Sequence, residues 1–235
     1  MLRARMPHVR TAIVTGGTGA LGRAVVDRFL AAGDLVVVPW LKNQEREDAA
    51  QELARAVRSG RVTLVEADVS TEEGAAHVAA AAPEVGILVN AAGGFAGGEP
   101  AYEGSIDIWD RMYRINLLTA VAMSRAVLPG MIRRKRGSIV NVASAAAFTR
   151  PAGIAAYTAS KAALVAFTET LQRELASTEL RINAVSPTTI DTPANRAAMP
   201  NVDPSSWTPP ARIAEVIFWL GSDEAHAVRG AVLPV

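Results

Sequence analysis

Tyr157 and Lys161 stand four residues apart in Tyr157-Thr158-Ala159-Ser160-Lys161, a spacing that puts two side chains on one face of a helix. An ammonium beside a phenol favours the phenolate and is expected to lower the phenol's pKa. A phenol tuned this way can give or take a proton near neutral pH. Ser144 lies upstream, just past an apolar run that reads as a strand, where its hydroxyl can reach the same substrate oxygen. Such a trio suits a carbonyl or a secondary alcohol.

These residues need a scaffold, and the hydrophobic pattern supplies one. Short apolar runs at 11–15, 35–38, 62–65, 87–89, 138–142, 181–185 and 231–233 read as strands, the second ended by Pro39. Between them lie helical segments at 20–32, 44–58, 106–134, 155–176 and 210–221, and a short helix capped by Ser70 or Thr71 with acidic residues in its first turn. The strands are continuously apolar rather than alternating, as in strands covered on both faces. Strand–helix alternation of this kind predicts right-handed βαβ units. The expectation is a single α/β domain over 1–235, a Rossmann-type doubly wound parallel sheet of about seven strands with helices on both faces. The stretch 187–210 reads as the longest irregular segment, with a substrate loop over 192–210.

Directly after the first strand comes Thr15-Gly16-Gly17-Thr18-Gly19-Ala20-Leu21-Gly22. Glycines there let the backbone approach a pyrophosphate, and the following helix offers its N-terminal N–H groups to the phosphates. The end of the second strand should meet the adenosine ribose, where a carboxylate suits NAD and a base suits the 2′-phosphate of NADP. Trp40 falls at that point with Lys42 close behind and no carboxylate between them. Trp40 could stack on adenine and Lys42 could meet a phosphate. The balance leans to NADP(H) over NAD(H).

Composition removes other classes. A net charge of +1 leaves no broad basic face for nucleic acid. The basic run Arg133-Arg134-Lys135-Arg136 reads as a solvated helix C-terminus. With no cysteine, thiolate catalysis and zinc–thiolate sites are excluded, and three dispersed histidines suggest no metal. No signal peptide and no uninterrupted apolar span is evident, so the expectation is a cytoplasmic protein with no membrane partner.

On the strength of these motifs the chain resembles the short-chain dehydrogenase/reductase family along nearly its whole length. The resemblance rests on Thr15 to Gly22, Asp68-Val69, Asn90-Ala91-Ala92-Gly93, Asn116, Ser144, Tyr157 with Lys161, and Asn183-Ala184-Val185-Ser186-Pro187 leading to Thr192. It implies an NAD(P)-dependent oxidoreductase acting on a small molecule. Tyr157 would be the proton donor, Ser144 would orient the substrate oxygen, and Lys161 would hold the nicotinamide ribose. Asn116 would position a water for proton relay. Asp68 and Val69 would flank adenine, Asn90 to Gly93 would run along the cofactor, and Ile190 and Thr192 would meet its carboxamide and phosphates, with Pro187 also at the cofactor. Phe95, Met199 and Trp207 would line an apolar substrate pocket. A homodimer or homotetramer is implied, with 106–134 and 155–176 as contact surfaces.

The chain departs from the family at Ala20, where glycine is usual, at Pro187-Thr188, and at the ending Leu233-Pro234-Val235. Its Gly16–Gly22 turn, Ala92–Gly98 segment and 191–208 loop are similar to the dihydropteridine reductases. Those carry an aspartate where Trp40 stands and lack the serine that Ser144 supplies. Three readings follow: a carbonyl reductase or alcohol dehydrogenase, a reductase of quinonoid dihydropterin, and a non-catalytic NAD(P)-sensing module.

Overall fold

The computed structural model describes residues 9–41, 43–82 and 84–235. Along the chain run β1 (Thr11–Thr15), α1 (Ala20–Ala31), β2 (Leu35–Trp40), α2 (Asn43–Glu52), α3 (Ala54–Arg58), β3 (Val62–Glu66), α4 (Glu72–Ala80), β4 (Val85–Asn90) and α5 (Ile106–Tyr113). A π-helical turn (Arg114–Leu118) then leads into α6 (Thr119–Arg134), β5 (Ser138–Val142), α7 (Ala146–Thr149), α8 (Ala155–Glu174), β6 (Arg181–Ser186), α9 (Pro193–Ala198), α10 (Pro210–Gly221) and β7 (Val232–Pro234).

The strands form one parallel sheet in the order β3-β2-β1-β4-β5-β6-β7. The chain winds outward from β1 to β3, then returns to lay β4 on the other side of β1. That reversal is the switch point at which α/β sheets open a crevice beyond their strand ends. Helices cover both faces. On one, Val25, Val26 and Phe29 of α1 pack with Ile213, Ile217 and Leu220 of α10. On the other, Val78 of α4, Met123 and Met131 of α6 and Leu171 of α8 close over Ile13, Leu88 and Ile139. Phe29 is fully buried and meets Phe218 edge-on at 5.3 Å. Phe29→Ala is therefore expected to lower the unfolding free energy by about 3–5 kcal/mol, as read by urea titration.

Several boundaries differ from expectation. Pro39 does not end the second strand, which runs to Trp40. β1 pairs with β2 only through Val37, so Pro39 sits where the strand has a partner on one side alone, and a proline fits such a place. The 44–58 segment breaks at Leu53 into α2 and α3. Thr71 is the cap of α4, its Oγ1 accepting from the Gly74 amide at 3.0 Å. The 187–210 segment is less irregular than its composition implies. It contains α9, and Thr208 returns to bridge Ile190.

The helical stretch Ile106–Arg134 spans 29 residues and is long and apolar enough, by composition, to cross a membrane, against the expectation that no segment is. Half of its most apolar window is buried inside the fold, as in a core helix. Its basic end terminates as expected: Lys135 takes a left-handed conformation (φ 54°) and Arg134 donates to the Val85 carbonyl at 2.7 Å.

Candidate active site

The glycine turn lies at the end of β1, against the loop after β4. Gly16 has φ +66°, and a Cβ there would lie 2.8 Å from the Ala92 amide nitrogen. A Cβ on Gly22 would fall 2.0 Å from the Gly16 carbonyl oxygen, so α1 can pack on the turn only with glycine at that position. Thr15 Oγ1 accepts from the Ala92 amide at 3.0 Å and ties the two loops together. α1 begins at Ala20 with no side-chain cap and no acidic residue in its first turn. Its N-terminal N–H groups are left for a ligand's phosphates, and this cradle fits a dinucleotide pyrophosphate. Gly19 and Ala20 are exposed, so the methyl at the departing position is accommodated.

Ser144 follows β5, and Tyr157 and Lys161 lie on the first turns of α8. The fold joins β5 to β6 behind them, where the Ala145 amide donates to the Pro187 carbonyl at 2.9 Å. The Ser144 hydroxyl is close enough to the Tyr157 hydroxyl to act on its pKa, and Phe95 packs edge-on against the Tyr157 ring at 5.1 Å. Lys161 is buried and its Nζ donates to the Val142 carbonyl at 2.8 Å. Burial lowers its pKa to about 8. The lowered tyrosine pKa expected from the sequence is not what this geometry gives. Burial raises the Tyr157 phenol above its ordinary value and the Ser144 hydroxyl only partly offsets this. Lys161, which spends a donor on a backbone carbonyl and is itself desolvated, is not among the groups that shift the phenol.

That desolvation has a consequence for stability. Between pH about 8 and the ordinary lysine value of 10.5 the unfolded chain holds the Lys161 proton and the folded chain has released it. Stability from this group therefore rises with pH across that window. Thermal denaturation between pH 8 and 10 is expected to show the rise, and Lys161→Met to flatten it.

Asn116 occupies the middle of the π turn, an interruption of the α-helical ladder that recurs at functional sites. Its Oδ1 accepts from the Gly94 amide at 2.9 Å, and its Nδ2 donates to the Gly94 carbonyl at 3.1 Å and to Ser160 Oγ at 3.0 Å. Ser160 Oγ in turn donates to the Tyr157 carbonyl at 2.7 Å. Asn116 thus joins the β4 loop to the helix that carries Tyr157. Sequence reasoning includes Ser160 and Thr15 in its motifs but gives neither a role of its own. The signal for Ser160 is its place three residues after Tyr157, on the same helical face. A Cβ on Gly93 would come within 2.7 Å of Asn116 Oδ1 and 3.3 Å of Lys161 Nζ, so the loop passes directly over the site.

The remaining candidates spread along the crevice. Asp68 accepts from Ser70 N and Oγ at 2.9 and 2.7 Å, and these bonds hold its pKa below the usual carboxylate value. Val69, beside it, is half-buried. Trp40 is only 5% exposed, and Lys42 lies outside the described residues. Asn90 turns its amide inward to Asn141 Oδ1 at 2.8 Å. Ala91 and Ala92 are half-buried beside the turn, as are Thr18 and Leu21. Thr192 caps α9 by accepting from the Asn195 amide at 3.1 Å, and Asn195 Nδ2 reaches the Ile190 carbonyl at 2.8 Å. Phe95 is 65% exposed beside Tyr157, whereas Trp207 is 8% exposed and anchors the loop through its amide to the Pro204 carbonyl. Met199 is half-buried at the end of α9. Among the described residues no group of acidic or histidine side chains could hold a metal.

Comparison with known proteins places the chain in a family. The family model described as short chain dehydrogenase matches residues 10–203. The 2-(R)-hydroxypropyl-CoM dehydrogenase of Xanthobacter autotrophicus is 31% identical, over 95% of this chain and 96% of its own. The NADP-dependent 3-hydroxy acid dehydrogenase of Salmonella typhi is 29% identical, over 91% of this chain and 90% of its own. The solved structure of a short chain dehydrogenase/reductase family protein superposes with a TM-score of 0.87 at 31% identity, covering 96% of this chain and 95% of that one. This chain belongs to the short-chain dehydrogenase/reductase family and is an NAD(P)-dependent oxidoreductase that moves hydride between its cofactor and a small alcohol or carbonyl.

Proposed function

We propose that the whole chain acts as one domain that uses NADP(H) in preference to NAD(H), with Tyr157 as the acid–base residue of its small-carbonyl or secondary-alcohol chemistry. The observation that carries the residue assignment is the hydroxyl pair of Ser144 and Tyr157, set beside buried Lys161 at the strand ends next to the glycine turn. The absence of a carboxylate at the end of β2 and the NADP dependence of the Salmonella relative favour NADP(H).

The nicotinamide supplies or accepts the hydride when bound. The glycine turn and the α1 N-terminus hold the pyrophosphate, Asp68 and Val69 flank adenine, and Lys161 holds the nicotinamide ribose. Pro187, Ile190 and Thr192 line that end. Ser144 and Tyr157 both reach the substrate oxygen. Ser144 orients it, and Tyr157 gives it a proton on reduction or takes one on oxidation. Asn116 fixes the loop and the helix around them, placing a water for the relay from Lys161. Phe95 and Met199 bound the substrate, with Trp207 holding the loop in place.

A phenol raised by burial is protonated at neutral pH. Carbonyl reduction is accordingly expected to be flat near neutrality and to fall at alkaline pH, while alcohol oxidation climbs with pH. Initial rates in both directions from pH 6 to 10 check this, and parallel profiles would remove Tyr157 from the proton transfer.

The deciding experiment follows oxidation of NADPH and NADH in parallel with small ketones and with quinonoid dihydropterin. Ketone turnover favouring NADPH supports the proposal. Turnover with the pterin alone moves the assignment to a pterin reductase, and cofactor binding without turnover of any acceptor moves it to a sensing module. The proposed assembly is a cytoplasmic homodimer or homotetramer built on the α5–α6 stretch and α8, where Ile106 and Leu118 are exposed apolar side chains.

A further inference from the structure

At the end of the sheet opposite the glycine turn, a cavity of about 530 Å³ opens among the starts of β1, β4, β5 and β6 and the end of α10. Six lysine or arginine side chains and His226 line it, against three carboxylates. Three of the arginines are held by acids: Arg10 by Asp34 at 2.7 Å, Arg136 by Asp223 at 2.8 Å and Arg229 by Glu179 at 2.9 Å.

Arg181 differs from these. It is the first residue of β6 and only 7% exposed. Its Nη1 donates to the Leu220 and Ala225 carbonyls at 2.7 and 3.3 Å. Among the described residues its Nε and Nη2 have no acceptor, and no carboxylate pairs with it. Desolvation lowers its pKa; Asp223 opposes this, while Arg229, Arg136 and Arg10 add to it. Capping the last carbonyls of α10 accounts for Nη1. It leaves the other donors of this largely buried cation for a further acceptor, beside a cavity lined by more basic than acidic side chains. A guanidinium fork matches an oxyanion through two parallel hydrogen bonds.

We propose that this cavity is a second ligand site, remote from the cofactor crevice, which takes a phosphate group with Arg181 as its buried anchor. Its volume exceeds that of a bare phosphate and leaves room for a small phosphorylated molecule. Arg136, Arg229 and Lys135 form the basic rim over the bound group.

The test is calorimetric titration of the full chain, saturated with NADPH so that the glycine turn is occupied. The probes are inorganic phosphate and glycerol 3-phosphate, against sodium chloride at matched ionic strength. One saturable site per chain is expected, weakened roughly tenfold or more by Arg181→Met. Should that variant not fold, the rim pair Lys135→Ser with Arg229→Ser is expected to weaken binding in the same direction. Tighter binding of glycerol 3-phosphate identifies a phosphate ester as the ligand, and equal binding identifies free phosphate. Heat no greater than that of chloride, or affinity unchanged in the variants, overturns the proposal.

Discussion

Tyr157→Phe is expected to lower kcat by about 10²–10⁴-fold while leaving NADPH affinity near that of the parent enzyme. The substitution removes only the phenol oxygen, which neighbours Ser144. The ring still packs against Phe95, whose centroid lies 5.1 Å away, and Lys161 keeps its bond to the Val142 carbonyl. The site's architecture should therefore survive the loss of its acid. Ser144→Ala is expected to cost less, because Tyr157 keeps its proton and only one of two hydroxyls at the substrate oxygen is lost. Steady-state rates beside a fluorescence titration of NADPH separate the two quantities. Unchanged kcat in Tyr157→Phe would end the assignment of that residue, whereas a matching loss of cofactor affinity would assign it to binding instead.

Gly22→Ala carries the second large effect. An added Cβ would sit 2.0 Å from the Gly16 carbonyl oxygen and 2.6 Å from its carbon. Both atoms are backbone, so no rotamer change relieves the contact, and α1 must shift away from the turn. Overpacking of this kind costs about 1–3 kcal/mol. Expressed in the geometry of the phosphate cradle, that corresponds to NADPH affinity weakened by roughly 10–100-fold. Gly19→Ala is the control for the fold, since its nearest neighbour would be the Gly16 oxygen at 3.5 Å, an ordinary contact. The two variants should differ clearly in melting temperature, with Gly19→Ala near the parent. Equal stability and equal NADPH binding in Gly22→Ala would show that the turn is more pliable than its packing implies.

Much of this protein is legible in its amino-acid sequence, because the information there is local. Strands such as that of Ile139 and Val140 are apolar on both faces, since helices cover both sides of the sheet. Tyr157 and Lys161 share a face because they are one helical turn apart. The glycine turn is recognisable because backbone contact at Gly16 and Gly22 excludes side chains. Boundaries are less legible where the determining partner is distant. Pro39 stays in β2 because the pairing of β2 with β1 stops at Val37, leaving Pro39 paired only with β3, and the helix over 106–134 is interrupted at a π turn whose Asn116 is held by Gly94 and Ser160.

The sequence by itself determined the succession of the seven strands and of the longer helical segments between them, and it singled out the glycine turn and the Ser144, Tyr157 and Lys161 trio as candidates, since each depends on spacing along one segment. Tertiary structure alone decided how those groups are tuned. Lys161 was expected to lower the tyrosine pKa, yet burial raises it, because desolvation depends on what folds over the phenol rather than on its neighbours in the chain. Tertiary structure also brought Arg181 beside Arg10, Arg136 and Arg229 from four separate segments, a convergence that no local pattern encodes.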